Sequence, residues 1–405
     1  MVIALKDVLC YKDHTVRAGS KILNPFTSLY SATAVQRLLH ADAIIIGRTN
    51  CDEFAMGSSN ENCAYGPVLN GLDVTRVPGG SSGGSAVAVQ MDMCLASLGT
   101  DTGGSIRQPA SFCGVIGFKP TYGRISRYGL IAYASSFDQI GPFTRSVKDA
   151  ALLTQMMSGA DDMDATASTR AVEDMLPEDV SGKKFRIAYI PEVNEHVKVD
   201  PEIRQRTSAI IAQLKADGHT VEPVSFDMIY ALVPAYYVLT TAEASSNLSR
   251  FDGIRFGHKS EAAHDLESSY KKNRSEGFGA EVKRRIMLGT FVLSAGYYDA
   301  YYTRGQKVRR LIAEKTSDIF SRYDFILTPT TPGTAFQLGE RTEDPIEMYL
   351  ADIFTVHAPL AGIGGISLPL GKHSNGLPFG IQVMADKFKE QALFSFSELL
   401  MQKFA

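Results

Sequence analysis

Two short runs of glycine and hydroxyl residues are the part of this sequence best suited to chemistry. The first is Gly79-Gly80-Ser81-Ser82-Gly83-Gly84-Ser85, and the second is Gly99-Thr100-Asp101-Thr102-Gly103-Gly104-Ser105-Ile106-Arg107. A Gly/Ser run on its own reads as a flexible linker. The first run, however, leads straight into the apolar helical stretch Ala86-Val87-Ala88-Val89, so it opens an ordered element. A phosphate-cradling loop needs Lys-Ser/Thr after the glycines, and none follows. Gly79-x-Ser81-x-Gly83 also fits the esterase nucleophile elbow, but that turn requires a hydrophobic strand before it. Here the polar run Leu72-Asp73-Val74-Thr75-Arg76-Val77-Pro78 precedes it. In the second run, paired glycines ahead of a serine let backbone N–H groups crowd toward a reacting atom. Such a nest of amides suits an oxyanion hole, where one donor contributes about 2.7–4 kcal/mol. A tight turn of small residues capping a helix is the alternative.

The two runs together place Ser81 and Ser105 at 105 − 81 = 24 positions apart. With the continuation Gln108-Pro109-Ala110-Ser111-Phe112-Cys113-Gly114, then Lys119-Pro120-Thr121, and the lysine ending Val2-Ile3-Ala4-Leu5-Lys6-Asp7, this pattern resembles the amidase signature family. The resemblance extends along almost the whole chain. It implies Ser105 as nucleophile, Ser81 as bridging serine and Lys6 as base, with a cis peptide at Gly80-Ser81. It also implies an oxyanion hole from Thr102, Gly103, Gly104 and the Ser105 amide. The chemistry is sound in principle. A serine hydroxyl needs a base, and lysine serves only when burial or nearby positive charge lowers its pKa from about 10.4. A hydroxyl between them donates and accepts at once. Outside the family pattern, Lys6 reads as a solvated surface lysine.

Within the family the chain resembles the glutamine-hydrolysing subunits of tRNA-dependent amidotransferases. The matching stretches are Asn50-Cys51-Asp52-Glu53-Phe54-Ala55-Met56-Gly57-Ser58-Ser59, Arg76-Val77-Pro78 and Ser135-Ser136-Phe137-Asp138-Gln139-Ile140-Gly141-Pro142. Two more are Glu281-Val282-Lys283-Arg284-Arg285-Ile286-Met287-Leu288-Gly289-Thr290 and Met348-Tyr349-Leu350-Ala351-Asp352-Ile353-Phe354. This resemblance implies that Tyr236, Arg285 and Asp352 hold free glutamine. A guanidinium fork suits the α-carboxylate and a carboxylate suits the α-ammonium. By pattern alone, Arg285 belongs to a basic run typical of a solvated helix face, and Asp352 to the surface. The partners implied are B and C subunits in a heterotrimer, with Glu-tRNA(Gln) or Asp-tRNA(Asn) handled mainly by B. No cofactor is expected in this chain, and ATP and magnesium are expected on the partner subunit. The competing readings are a stand-alone amidase on another small amide and an inactive scaffold.

The elements that must position these residues read as an α/β fold. Residues 2–5 look like a short buried strand, Ser31 to Leu39 a helix, and Ala43-Ile44-Ile45-Ile46-Gly47 a buried strand. Ser85 to Met93 reads as a helix and Val115 to Phe118 as a strand. An acidic connection begins near Asp161. Strands follow at Lys184 to Ile190, Thr220 to Val224 and Phe325 to Pro329, with a helix over Glu202 to Ala216 and mostly helical pattern over 228–315. The resemblance implies a large mixed twisted sheet covered by helices on both faces. It also implies a core over about 1–160 and 316–405 and a peripheral substrate-side subdomain over about 183–315.

The 405 residues suffice for a large core, and the formal charge of −3 gives no electrostatic footprint for nucleic acid. The five cysteines form neither a Cys-x-x-Cys pair nor a zinc pattern, so free thiols in a reducing compartment are expected. The early charge at Lys6 argues against a signal peptide. No run reaches the roughly 18 apolar residues of a membrane span, and a cytoplasmic location is expected. Two departures from the family stand out. Family members carry a longer, mostly helical segment before the lysine strand, so Lys6 is expected to be more hydrated here and C-subunit docking is in question. His357 and Pro359 also stand where Pro and Asn are usual.

Overall fold

The computed structural model describes residues 1–192, 199–340 and 352–405. Ten strands form one mixed sheet: β1 Val2–Lys6, β2 Ile44–Thr49, β3 Ala96–Asp101, β4 Ile116–Lys119, β5 Gln139–Thr144, β6 Arg186–Tyr189, β7 Thr220–Pro223, β8 Phe325–Pro329, β9 Gly364–Lys372 and β10 Pro378–Ala385. Their order is β2-β1-β3-β5-β4-β9-β10-β8-β6-β7. Pairing is parallel at both flanks and antiparallel through the middle. The helices are α1 Thr33–His40, α2 Gly83–Gln90, α3 Arg107–Cys113, α4 Val147–Met157, α5 Pro201–Ala216, α6 Ile229–Asn247, α7 Leu266–Gly277, α8 Ala280–Val292, α9 Arg304–Phe320, α10 His357–Ala361 and α11 Glu390–Phe404.

Alternation along the central strands explains why helices cover both faces. Ile116, Phe118, Ile366, Leu368, Ile381 and Val383 point into a core shared with Leu393 and Phe394 of α11 and Val147 and Ala150 of α4. The residues between them face α3. A Cβ at Gly117 would meet Ala110 at 2.6 Å, so this strand position must be glycine for α3 to lie close. Gln382, on the same face, bonds Arg107 of α3 at 2.5 Å.

The expected strand at Ala43–Gly47 forms, but not as a buried one. As β2 it is the end strand of the sheet, with one neighbour, and Ile44 and Ile46 are 61% and 49% exposed. An apolar run alone does not distinguish a central strand from an edge. Strands β6 and β7, from the segment expected to be peripheral, extend the central sheet beside β8. Helices α6 and α8 of the same segment carry Tyr236 and Arg285. Among the described residues no helix is long and apolar enough to cross a membrane, and all five cysteines are free.

Phe394 packs against Phe118 with ring centroids 4.4 Å apart, on the sheet face away from α3. Phe394→Ala should lower stability by about 3–5 kcal/mol by leaving a cavity. Urea denaturation reads the loss, while the activity of the folded fraction should be unchanged.

Candidate active site

Lys6 ends β1, in register with Thr49 of β2. Along β1, Ile3 and Leu5 enter the main core, whereas Ala4 packs with Ala86 and Val89 of α2. The two-residue period therefore sends the Lys6 side chain toward α2 and the loop that opens it. Its Nζ donates to Ser81 Oγ at 2.7 Å, Ser82 Oγ at 2.9 Å and Thr100 Oγ1 at 2.9 Å. Ser82 in turn donates to the Thr100 carbonyl, at 3.1 Å.

Lys6 is 0% exposed, so the extra hydration anticipated from its position near the chain start is not found. Burial pulls its ammonium down to about 8, against the opposing pull of Asp52, Asp138 and Asp101. A fall of this size is worth about 3 kcal/mol in favour of the neutral amine. Lys119 is also buried and lowered to about 7, but it donates to the Pro120 carbonyl. A buried amine is therefore not enough; it must face a hydroxyl that can carry its proton.

The Gly80–Ser81 peptide is cis. Clearance around it is tight, because a Cβ at Gly80 would lie 2.1 Å from Asp52 Oδ2 and one at Gly84 would lie 2.4 Å from the Asn50 carbonyl. These glycines are steric necessities, and a flexible linker is excluded.

The second run leaves the end of β3. Asp101 and Arg107, both 0% exposed, clasp across it with Nη2–Oδ1 at 2.8 Å and Nε–Oδ2 at 3.0 Å. Burial works against the Asp101 charge, but the Arg107 guanidinium outweighs it and holds the carboxyl below its usual range. Between them, Thr102 donates to Asp138 Oδ1 at 2.6 Å. The Gly103 carbonyl accepts from Thr355 Oγ1 at 2.6 Å, and the Gly104 carbonyl accepts from the Gln108 amide at 2.8 Å. A trans peptide points its N–H opposite to its C=O. These two grips therefore aim the Gly104 and Ser105 N–H groups away from Thr355 and Gln108. Among the described residues neither amide, nor that of Gly103, donates a backbone hydrogen bond. Gly104 has φ +137°, and a Cβ there would lie 2.1 Å from Thr355 Oγ1. Ser105 is 8% exposed, and its hydroxyl makes no hydrogen bond among the described residues. The structure thus joins Lys6 to Ser81 directly, and among the described residues it shows no hydrogen bond from the buried Ser105 hydroxyl to either.

Of the three expected glutamine-holding residues, Tyr236 lies against this loop, and Arg285 and Asp352 lie within electrostatic reach of Tyr236. The Tyr236 ring packs so near Gly103 that a Cβ there would lie 2.4 Å from the phenol oxygen. Arg285 is buried, although Lys283 and Arg284 beside it are exposed. It shares the α8 stripe of Val282, Gly289 and Val292. Its Nη1 donates to Tyr133 Oη at 2.8 Å and its Nε to Glu281 Oε1 at 2.8 Å, over the Tyr133 and Tyr237 rings. Asp352 is buried and accepts from the Ser58 hydroxyl. Burial raises its carboxyl to about 7 despite that bond and the charge of Arg285. Of the matching run Met348–Phe354, residues 348–351 lie outside the described residues.

Several residues that the sequence reading did not single out shape this site: Ser82, Thr100, Tyr133 and Thr355. Ser82 carried a signal, since it neighbours Ser81 in the same run. Thr355 carried none, because its partner lies 252 positions away. The departure at His357 has a structural account. Its Nε2 lies 2.8 Å from Thr316 Oγ1, its ring packs on Phe226, and burial lowers its pKa to about 4, so it stays neutral. Among the described residues, no group of three or more His, Cys, Asp or Glu is placed to hold a metal ion.

The chain was compared with known proteins. The profile of the family described as Amidase matches residues 1–394. The A subunit of the Koribacter versatilis glutamyl-tRNA(Gln) amidotransferase is 55% identical over 396 residues, covering 96% of this chain and 82% of the relative. The protein of the same name from Acidobacterium capsulatum is 54% identical over 386 residues, covering 95% and 81%. The crystal structure of the Thermotoga maritima glutamyl-tRNA(Gln) amidotransferase A subunit superposes with a TM-score of 0.85 at 43% identity, over 100% of this chain and 83% of that one. By its matched profile, its relatives and its fold, the chain belongs to the amidase family.

Proposed function

We propose that this chain hydrolyses the side-chain amide of glutamine and, with B and C subunits, supplies ammonia for converting Glu-tRNA(Gln) to Gln-tRNA(Gln). The observation carrying this reading is the buried Lys6 amine, 2.7 Å from Ser81, in one site with a guanidinium, a carboxylate and a phenol suited to an α-amino acid. The names of the relatives support the tRNA-dependent role.

In the proposed reaction, glutamine places its α-carboxylate on Arg285 and its α-ammonium on Asp352, with Tyr236 closing the pocket. Ser105 Oγ attacks the amide carbon as its proton passes to Ser81 and the Ser81 proton to Lys6. The oxyanion is met by the Gly103, Gly104 and Ser105 amides, with Thr102 at the edge of that loop. Collapse expels ammonia, which takes the proton back through the same path. Water then attacks the acyl-enzyme and glutamate leaves, so glutamine and water give glutamate and ammonia. ATP and magnesium are assigned to the B subunit, where activation of the misacylated tRNA would occur.

Ser105→Ala, assayed as ammonia release from glutamine with the partner subunits present, should lose at least about 10³-fold in kcat. Equal rates for the two proteins would overturn the catalytic assignment, and brisk turnover of simple amides without glutamine turnover would favour a stand-alone amidase.

Because Lys6 must be neutral, kcat should rise with pH through about 8 and level above it. Below 8 the neutral fraction falls about tenfold per unit. Lys6→Arg, which stays charged, should abolish the rise along with most of the activity. Arg285→Lys removes the fork and should raise KM for glutamine by about tenfold, with a smaller effect on kcat.

A further inference from the structure

We propose that Gln108 is a positioning residue that couples the acceptor for the substrate's ammonium group, Asp352, to the bridging serine, Ser81. This rests on the glutaminase reading and names a residue that reading does not use. Gln108 is fully buried in the first turn of α3. Its Oε1 accepts from the Gly80 N–H at 3.0 Å, and its Nε2 donates to the Ser58 carbonyl at 2.6 Å. Ser58 in turn gives its hydroxyl to Asp352. The backbone N–H of Gln108 holds the Gly104 carbonyl at 2.8 Å, so one residue also touches the loop that ends in Ser105.

The partners fix the orientation of the amide. A backbone N–H only donates and a carbonyl only accepts. A side chain bridging Gly80 N–H and Ser58 C=O must therefore offer one acceptor and one donor at that reach. Clearances leave little slack, because a Cβ at Gly79 would lie 2.4 Å from Gln108 Oε1 and one at Gly80 would lie 2.1 Å from Asp52 Oδ2. On the far side, the Asp52 N–H holds the Ser81 carbonyl at 3.2 Å. The Gly80-Ser81 segment is thus clasped between Gln108 and Asp52. Asp352, Ser58, Gln108 and Gly80 are linked by hydrogen bonds on either side of Ser58, through its hydroxyl and its backbone carbonyl, from the ammonium subsite to the residue next to Ser81. An ammonium seated on Asp352 pulls that carboxylate and its Ser58 partner into one arrangement, and the path transmits this to the serine bridge.

The test compares glutamine with glutaramate, the same amide without the α-ammonium group, using the full chain assembled with its B and C subunits. Gln108→Met keeps length and volume but breaks both bonds. It should lower kcat for glutamine about tenfold more than kcat for glutaramate, as expected for a small loss of alignment at the reacting atoms, with KM for glutamine moving less than kcat. Ser58→Ala breaks the path at its other end and should show the same selective loss in kcat, so the test survives if the Met variant fails to fold. Losses of equal size on both substrates, or no loss on either, would overturn the coupling. A wild-type enzyme that turned over glutamine no faster than glutaramate would instead overturn the glutaminase reading, and the coupling with it.

Discussion

The fold is organised around one buried amine that holds its proton only weakly. Three hydroxyls, from Ser81, Ser82 and Thr100, surround Lys6 Nζ, and none of them is an ion. A carboxylate in their place would hold the ammonium charged and deny it any role as a base. The nearby acids are each engaged elsewhere. Asp101 is taken by Arg107, Asp138 by Thr102 and the amides of Tyr133 and Ala134, and Asp52 by the amides of Asn60 and Asn62. Burial then decides the balance and lowers the ammonium to about 8. Hydrogen bonding without ion pairing leaves the nitrogen oriented yet able to accept a proton.

A second constraint follows from how many chain segments must meet there. The Lys6 amine comes from β1, Ser81 from the loop into α2, Ser105 from the loop between β3 and α3, and Tyr236, Arg285 and Asp352 from α6, α8 and the segment before α10. Backbone has to approach backbone closely, so clearance is set by glycine. Gly80 leaves room for Asp52, Gly103 for Tyr236 and Gly104 for Thr355. Thr355, which occupies the space at Gly104, also bonds the Gly103 carbonyl, so there exclusion of bulk and aiming of the amides come from one side chain.

Much of this was legible in the sequence, for reasons that differ from residue to residue. Ser81 and Ser105 fall in short glycine- and hydroxyl-rich runs whose pairing resembles a family pattern, and Lys6 was legible only through that resemblance, since alone it reads as a surface lysine. Arg285 could have been placed in the interior from spacing alone, because it shares a three- and four-residue stripe with Val282, Gly289 and Val292, while Lys283 and Arg284 point outward. The edge position of β2 was not legible, since Ile44-Ile45-Ile46 has the pattern of a central strand and only the sheet order shows it lies at the end. Thr355 and Ser58 act through partners hundreds of positions distant, and nothing local distinguishes them from any other hydroxyl residue. Gln108 lay inside a recognised run, but its two partners are backbone groups of other segments, so its task emerges only with the fold.

The central claim is that the Lys6 amine is uncharged for a substantial part of its time at neutral to mildly alkaline pH. Direct titration by NMR measures this without reference to turnover, using the side-chain ¹³Cε resonance of labelled lysines, with the Lys6 signal assigned by its loss in Lys6→Arg. A midpoint at about 8, well below the 10.5 of an ordinary lysine, is the predicted result. A Lys6 signal that titrates with the surface lysines would contradict the account.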